Sequence, residues 1–283
     1  MSNIEKIWIK ARAGDPVTIN WGKKIVAFLE KKITQIYVDP ILAYTVKKPV
    51  LPENSLDTID LAIIIGGDGT LLRTIQRSRA RLPPILGFTA ESLGFFFDHR
   101  VEDYKKILTN ILEGNYKLCN IALGEFRLHK EEGIFLNEVS IWAIPGKIIE
   151  FDLLVDGIHF YHGRSDGIIL STAAGSTGHA LSYGSPIILN WEKPLIEIYP
   201  VGALSPMIRP LITFNNKIQV KLERWPSHLV VDGQRSYNLE VGCSIEISPS
   251  ERKLKIVYVK NKCLPSTEKL RLRLSDKGFS FIP

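Results

Sequence analysis

Leu61-Ala62-Ile63-Ile64-Ile65 is an unbroken apolar run that stops abruptly at glycine, as expected of a strand covered on both faces in a parallel sheet. Behind the glycines, Leu71, Leu72 and Ile75 recur at helical spacing among Arg73, Gln76, Arg77 and Arg79. Pro84-Ile85-Leu86-Gly87 reads as the next short strand. Tyr104, Ile107, Leu108, Ile111 and Leu112 then mark one face of a helix that Gly114 closes. An earlier helix is predicted around Ile25 to Ile33. Strand and helix in alternation are the signature of an α/β layer.

After about residue 116 the texture changes to short alternating stretches with turn signals between them. Phe151 to Val155 and Ile158 to Tyr161 flank Asp156-Gly157, a two-residue hairpin turn. Leu229-Val230-Val231 runs into a second such pair, Asp232-Gly233, and Ile245 to Ile247 and Leu254 to Tyr258 continue the pattern. The fold predicted is therefore an α/β domain over residues 1–117, followed by a predominantly β domain, a sandwich, over 118–265. A tail over 266–283 is expected to pack back on the first domain.

Composition narrows this picture. A chain of 283 residues suits two domains, and no apolar run approaches the roughly 20 residues that span a bilayer. The start lacks the basic then apolar pattern of a secretory signal, so the expected address is cytoplasmic, with no membrane partner. The net charge of +6 would favour a polyanion. The basic residues are scattered, however, and the clusters Arg77-Arg79-Arg81 and Lys269-Arg271-Arg273 read as solvated surface, so no nucleic-acid partner is expected. Cys119, Cys243 and Cys263 are widely spaced and read as small buried thiols rather than a disulfide scaffold or zinc site.

The segment Gly66-Gly67-Asp68-Gly69-Thr70 carries the first candidate chemistry. Glycine lets the chain turn sharply and bring its amides close to another molecule, and the helix beginning near Thr70 aims its N–H groups and positive dipole end at the same place. Phosphate suits that concavity, beyond the carboxyl end of a strand. Asp68 is the odd member: a carboxylate there repels phosphate unless it binds a metal, orients a hydroxyl or accepts a proton, and the alternative is a turn aspartate that caps the helix. The loop is neither a Walker A motif nor a good dinucleotide fingerprint, because Leu72 occupies the third glycine position.

Asn137-Glu138 interrupts an apolar stretch. Adjacent strand residues face opposite sides, so at least one of the two points somewhere mostly apolar and must be hydrogen-bonded. A structural hub and a pair gripping ligand hydroxyls are both open. From Arg164 to Gly184 an apolar strand again runs into small hydroxylated residues and glycine, which fits a backbone pressed against a ligand. Six histidines show no zinc spacing. His179 stands out only for its company, without the G-x-S-x-G elbow of a hydrolase.

Taken together, these blocks resemble the NAD kinase family. Gly66 to Thr70 resembles its glycine–aspartate loop, Leu93-Gly94-Phe95 its L-G-F, Asn137-Glu138 its Asn-Glu pair, Asp166 to Tyr183 its D-G-x-x-x-S-T segment, and Asp232-Gly233 its late D-G turn. The resemblance implies an N-terminal Rossmann-like α/β domain and a C-terminal β-sandwich, in a homodimer or homotetramer that phosphorylates the adenosine ribose 2′-hydroxyl of NAD, using Mg²⁺ or another divalent cation with ATP, another nucleoside triphosphate or polyphosphate as donor. It implies that Asp68 contacts that ribose as general base or hydroxyl orienter, that Phe95 stacks near the adenine, and that Asn137 and Glu138 hold ribose hydroxyls. It further implies that Asp166 reaches the nicotinamide side, that Thr177, Ser182 and Tyr183 line the nucleotide cleft, and that Arg164 completes a site on a neighbouring subunit. Gly67, Gly69, Thr70, Arg73, Gly178, His179, Ala180 and Asp232 fall in the same nucleotide-binding set, and no residue is assigned as a metal ligand. Three departures stand out: Ala173-Ala174 for Pro-Thr or Pro-Ser, Gly178-His179 for Ala-Tyr, and Thr89 and Glu91 for asparagine and glycine. A lipid or sphingoid-base kinase with a similar loop, and a non-catalytic dinucleotide-binding regulator, are the alternatives.

Overall fold

The structure, a computed structural model, describes residues 4–78, 82–90, 94–205, 208–259 and 270–271. Arg79, Arg81, Glu91, Leu93, Cys263, Lys269 and Arg273, and nearly all of the expected tail 266–283, lie outside the described residues. The chain divides into two compact units, Met1–Asn120 with Leu254–Pro283, and Ile121–Lys253. In chain order the first unit carries β1 (Lys6–Ala11), α1 (Pro16–Leu29), β2 (Gln35–Val38), α2 (Pro40–Ala43), β3 (Leu61–Ile65), α3 (Asp68–Arg77), β4 (Ile85–Thr89), β5 (His99–Arg100) and α4 (Tyr104–Leu112). The second carries most of β6 (Lys117–Leu128), then β7 (Glu131–Phe135), β8 (Glu138–Ala143), β9 (Ile149–Val155), β10 (Ile158–Ser165) and β11 (Gly167–Ser171). It continues with β12 (Leu195–Val201), β13 (Leu211–Phe214), β14 (Ile218–Arg224), β15 (Ser227–Val231), β16 (Arg235–Leu239) and the first part of β17 (Ser244–Tyr258).

In the first unit β2, β1, β3 and β4 form a parallel sheet in that order, with β5 beside the carboxyl end of β4. The end of β17 also joins β4 in parallel, Ile256 opposite Ile85. Every residue of β3 is buried, which is why its sequence shows no alternation. Ile7, Ile9, Ile63, Ile65, Leu86 and Phe88 pack against Ile25, Val26 and Leu29 of α1 and Ile107, Leu108 and Ile111 of α4. Helix α1 starts well before the expected Ile25 and stops at Leu29. Asp15 caps it by accepting from the Val17 amide at 3.0 Å, and Pro16 occupies the first turn. The apolar face alone marked only its carboxyl half.

The second unit is a β-sandwich. One sheet has the order β13-β12-β11-β8-β15-β16, all antiparallel. The facing sheet pairs β10, β9, β14 and β17, and β6 with β7. Inward residues from both sheets, among them Phe135, Ile141, Phe151, Ile168, Ile198, Val220 and Leu229, share one core. Asp156-Gly157 closes the β9–β10 hairpin, with φ of 51° and 79°, and Asp232-Gly233 opens the turn from β15 to β16, with φ of 49° and 63°. Both are the left-handed conformations that Asp and Gly accept at such turns. Cys243 is a buried free thiol, but Cys119 is disulfide-bonded, against the expectation of thiols throughout. Spacing along a chain says nothing of distance in space.

Candidate active site

In the first unit β3 delivers its chain into Gly66 and Gly67 at the carboxyl edge of the sheet, and α3 begins at once with Asp68. The carboxylate does not cap the helix, whose N-cap is Gly67 with no side-chain cap. It turns aside to accept two amides, from Phe95 at 2.7 Å and Phe96 at 3.2 Å. Packing demands glycine at two positions around it. A Cβ on Gly94 would stand 2.3 Å from Asp68 Oδ1, and one on Gly66 would stand 2.5 Å from Thr70 Oγ1. Gly67 and Gly69 differ: a Cβ there would meet nothing within 4 Å, and neither has a positive φ. Nothing inside the fold asks for glycine at these two places, so the demand fits a molecule that approaches the loop from outside. Thr70 is buried and Arg73 lies exposed one turn further along α3.

The second unit assembles the other candidates around Gly178. Asn137 and Glu138 sit where β7 ends and β8 begins. A Cβ on Gly178 would lie 3.4 Å from Glu138 Oε2 and 3.6 Å from Asn137 Nδ2. Among the described residues, Asn137 Oδ1 and Glu138 Oε2 are buried without a hydrogen-bond partner. Burial, aided by the negative charge of Asp232, pushes the Glu138 carboxyl up to about 8. Asp232 itself is 3% exposed. Its carboxylate accepts the amides of Leu136, Asn137 and Glu138 at 2.9, 2.7 and 3.1 Å, so it holds the turn that presents the pair.

The small-residue run is not loose. Ser171 to Thr177 are all buried. Thr172 donates to the Leu136 carbonyl at 2.5 Å, and its amide donates to the Asn137 carbonyl at 2.9 Å. A Cβ on Gly175 would come within 2.0 Å of that same Asn137 carbonyl. The smallness of this run thus lets it lie under Asn137. Thr177 spends its hydroxyl on the Ala174 carbonyl at 3.0 Å, and Ala180 is buried. His179 and Tyr183 are exposed and group with Trp142, ring centroids 5.4 to 6.0 Å apart. Ser182 is exposed beside them, as is Asp166 ahead of β11. Arg164 lies apart, on the outer face of β10 beside Glu150 at 3.6 Å.

Residues 11–116 match the ATP-NAD kinase N-terminal domain family and residues 136–259 the ATP-NAD kinase C-terminal domain family. The chain belongs to the NAD kinase family. An NAD kinase of Methanosarcina acetivorans is 31% identical over 278 residues, covering 96% of this chain and 99% of that one. An NAD kinase of Pseudomonas entomophila is 30% identical over 280 residues, covering 91% and 92%. The fold is shared with a yeast NADH kinase solved with NADH, at a TM-score of 0.86 and 22% identity over 99% of this chain and 89% of that one. It is also shared with an NAD kinase from Archaeoglobus fulgidus solved with ATP, at a TM-score of 0.74 and 25% identity over 98% and 100%.

The family's sequence blocks leave several structural partners unmarked. Trp142 closes the ring cluster, yet it reads in the sequence as ordinary strand apolarity. Glu197 is fully buried in β12, accepting Ser171 at 2.9 Å and Ser185, so that it ties together the two ends of the small-residue segment. A lone acid in the apolar run Leu195 to Val201 was its only signal. Among the described residues no group of three or more His, Cys, Asp or Glu side chains is placed to hold a metal, and no helix is long and apolar enough to cross a membrane.

Proposed function

We infer that the chain is an NAD kinase, transferring a phosphoryl group from ATP, another nucleoside triphosphate or polyphosphate to the 2′-hydroxyl of the adenosine ribose of NAD. The observation that carries the acceptor is the pair of orphaned oxygens, Asn137 Oδ1 and Glu138 Oε2, buried beside Gly178. Buried acceptors without donors are costly, and vicinal sugar hydroxyls supply two O–H donors. A lipid kinase would line its acceptor pocket with apolar groups instead.

For the donor, the open backbone at Gly67 and Gly69 and the start of α3 offer amides to phosphate. Mg²⁺ enters with the donor, as the magnesium complex of its phosphates. Asp68, fixed by the amides of Phe95 and Phe96, holds the 2′-hydroxyl in line and takes its proton as the new P–O bond forms and the bond to the leaving phosphate breaks. His179 and Tyr183, with Trp142, offer ring faces to a base. The chain acts as a homo-oligomer in this reading. Its support is the edge strand β10, which exposes Ile158 at 73% and Phe160 at 55% on the strand that also carries Arg164.

Incubation with NAD, ATP and Mg²⁺ should yield NADP, and Asp68→Asn should lower kcat by about 10²-fold or more with the fold intact. An Asp68→Asn enzyme with near-normal kcat would remove Asp68 from the chemistry. Absence of NADP with the wild-type chain would remove the function.

A further inference from the structure

Asp68 is held by backbone, and the backbone that holds it is itself tied from below. The amides of Phe95 and Phe96 donate to its two oxygens. One residue from β17, Tyr258, donates its hydroxyl to the Phe96 carbonyl at 2.6 Å. That residue is 1% exposed, and its ring lies 6.0 Å from the ring of the buried His99. The Phe96 amide and carbonyl lie on either side of one Cα. Only the φ and ψ of Phe96 separate the two peptide planes, so anchoring the carbonyl restrains the short segment whose amides reach Asp68. A phenol buried this deeply would gain little from its hydroxyl if packing were its whole purpose, because a phenylalanine fills nearly the same volume.

We propose that Tyr258 is a positioning residue for the phosphoryl transfer, acting through the Phe96 carbonyl and the Phe95 and Phe96 amides to hold the Asp68 carboxylate in line with its substrate hydroxyl. The proposal rests on the NAD kinase reading given above and extends it to a residue far from the glycine loop in sequence. Burial, with the nearby charges of Asp98 and Asp68, keeps the phenol well above its ordinary range, so it stays a neutral O–H donor at every pH at which the enzyme would work. No proton passes through it.

The test is Tyr258→Phe, assayed alone and in an Asp68→Asn background with saturating NAD and Mg·ATP. In the wild-type background kcat is expected to fall about tenfold, the size of one lost hydrogen bond felt at the reacting group, with KM for NAD unchanged. In the Asp68→Asn background the same change should alter kcat less than about twofold, because the group being positioned is no longer there. A purely structural tyrosine predicts equal loss in both backgrounds, and that result overturns the proposal, as does a Tyr258→Phe enzyme with wild-type kcat. If Tyr258→Phe does not fold, fluorotyrosines of graded acidity placed at 258 keep the shape and vary the donor. A kcat that follows donor strength supports the role, and a flat series overturns it. Failure of the wild-type chain to make NADP would instead strike the functional reading, so the two failures are distinguishable.

Discussion

Asp68 and Asp232 are both carboxylates held by main-chain amides, yet they serve different ends. Asp68 keeps part of its surface open at the glycine loop, whereas Asp232 is closed in by the amides of Leu136, Asn137 and Glu138. Asp232→Asn keeps one oxygen and loses the other, at a cost of about 1–3 kcal/mol for the amide left without an acceptor. KM for NAD should rise more than kcat falls, since the turn under Asn137 and Glu138 loosens while Asp68 is untouched. Glu138 supplies a pH signature. From the ordinary carboxyl range up to about 8 the folded chain keeps a proton that the unfolded chain has lost, so stability falls as pH rises through that window. Glu138→Gln removes the titration, and its melting temperature should exceed wild type at pH 8 but not at pH 5. An equal difference at both pH values would count against a protonated Glu138. Asp68 and Glu138 stood out as candidate site residues from their company in the chain. Tyr258 and Glu197 were not, because an isolated tyrosine or glutamate in a strand gives no hint of the carbonyl or hydroxyl it will meet across the fold.

Among elements, β4 and the turn after it show how packing reaches the site. Gly87 has no side chain, and the Phe97 ring occupies the space a Cβ would need, 1.8 Å away. Phe97 is 1% exposed and anchors the end of the segment Gly94–Phe96 that grips Asp68. Gly87→Ala overpacks this contact and should cost about 1–3 kcal/mol in chemical denaturation. Gly94→Ala presses directly on Asp68 Oδ1, so its expected effect is a loss of kcat larger than its loss of stability. Equal losses would mean that the clash is relieved elsewhere. The sequence marked β3 and the loop clearly, through the contrast between five apolar residues and glycine. It marked α1 poorly, since the capping Asp15 and Pro16 precede the apolar face by most of the helix.

For the whole molecule, the returning strand is the feature with most consequence. The end of β17 leaves the sandwich unit, pairs with β4 of the first unit and brings Tyr258 there. The exposed edge at β10 sets a further prediction. Ile158→Lys with Phe160→Lys should lower the sedimentation coefficient to that of a monomer while leaving the melting of the isolated chain nearly unchanged, because neither side chain is in a core. A wild-type chain already monomeric would end that reading. What the sequence determined by itself was the class of each half, the hairpin turns and the three polar blocks, because these depend on local periodicity and on residues a few positions apart. Only the tertiary structure decided which amides hold Asp68, that Asp232 serves the turn, that the small residues lie under Asn137, and that, among the described residues, Asn137 Oδ1 and Glu138 Oε2 lie buried without donors. Those are contacts between segments as much as 96 positions apart, and no local pattern encodes the distance between them.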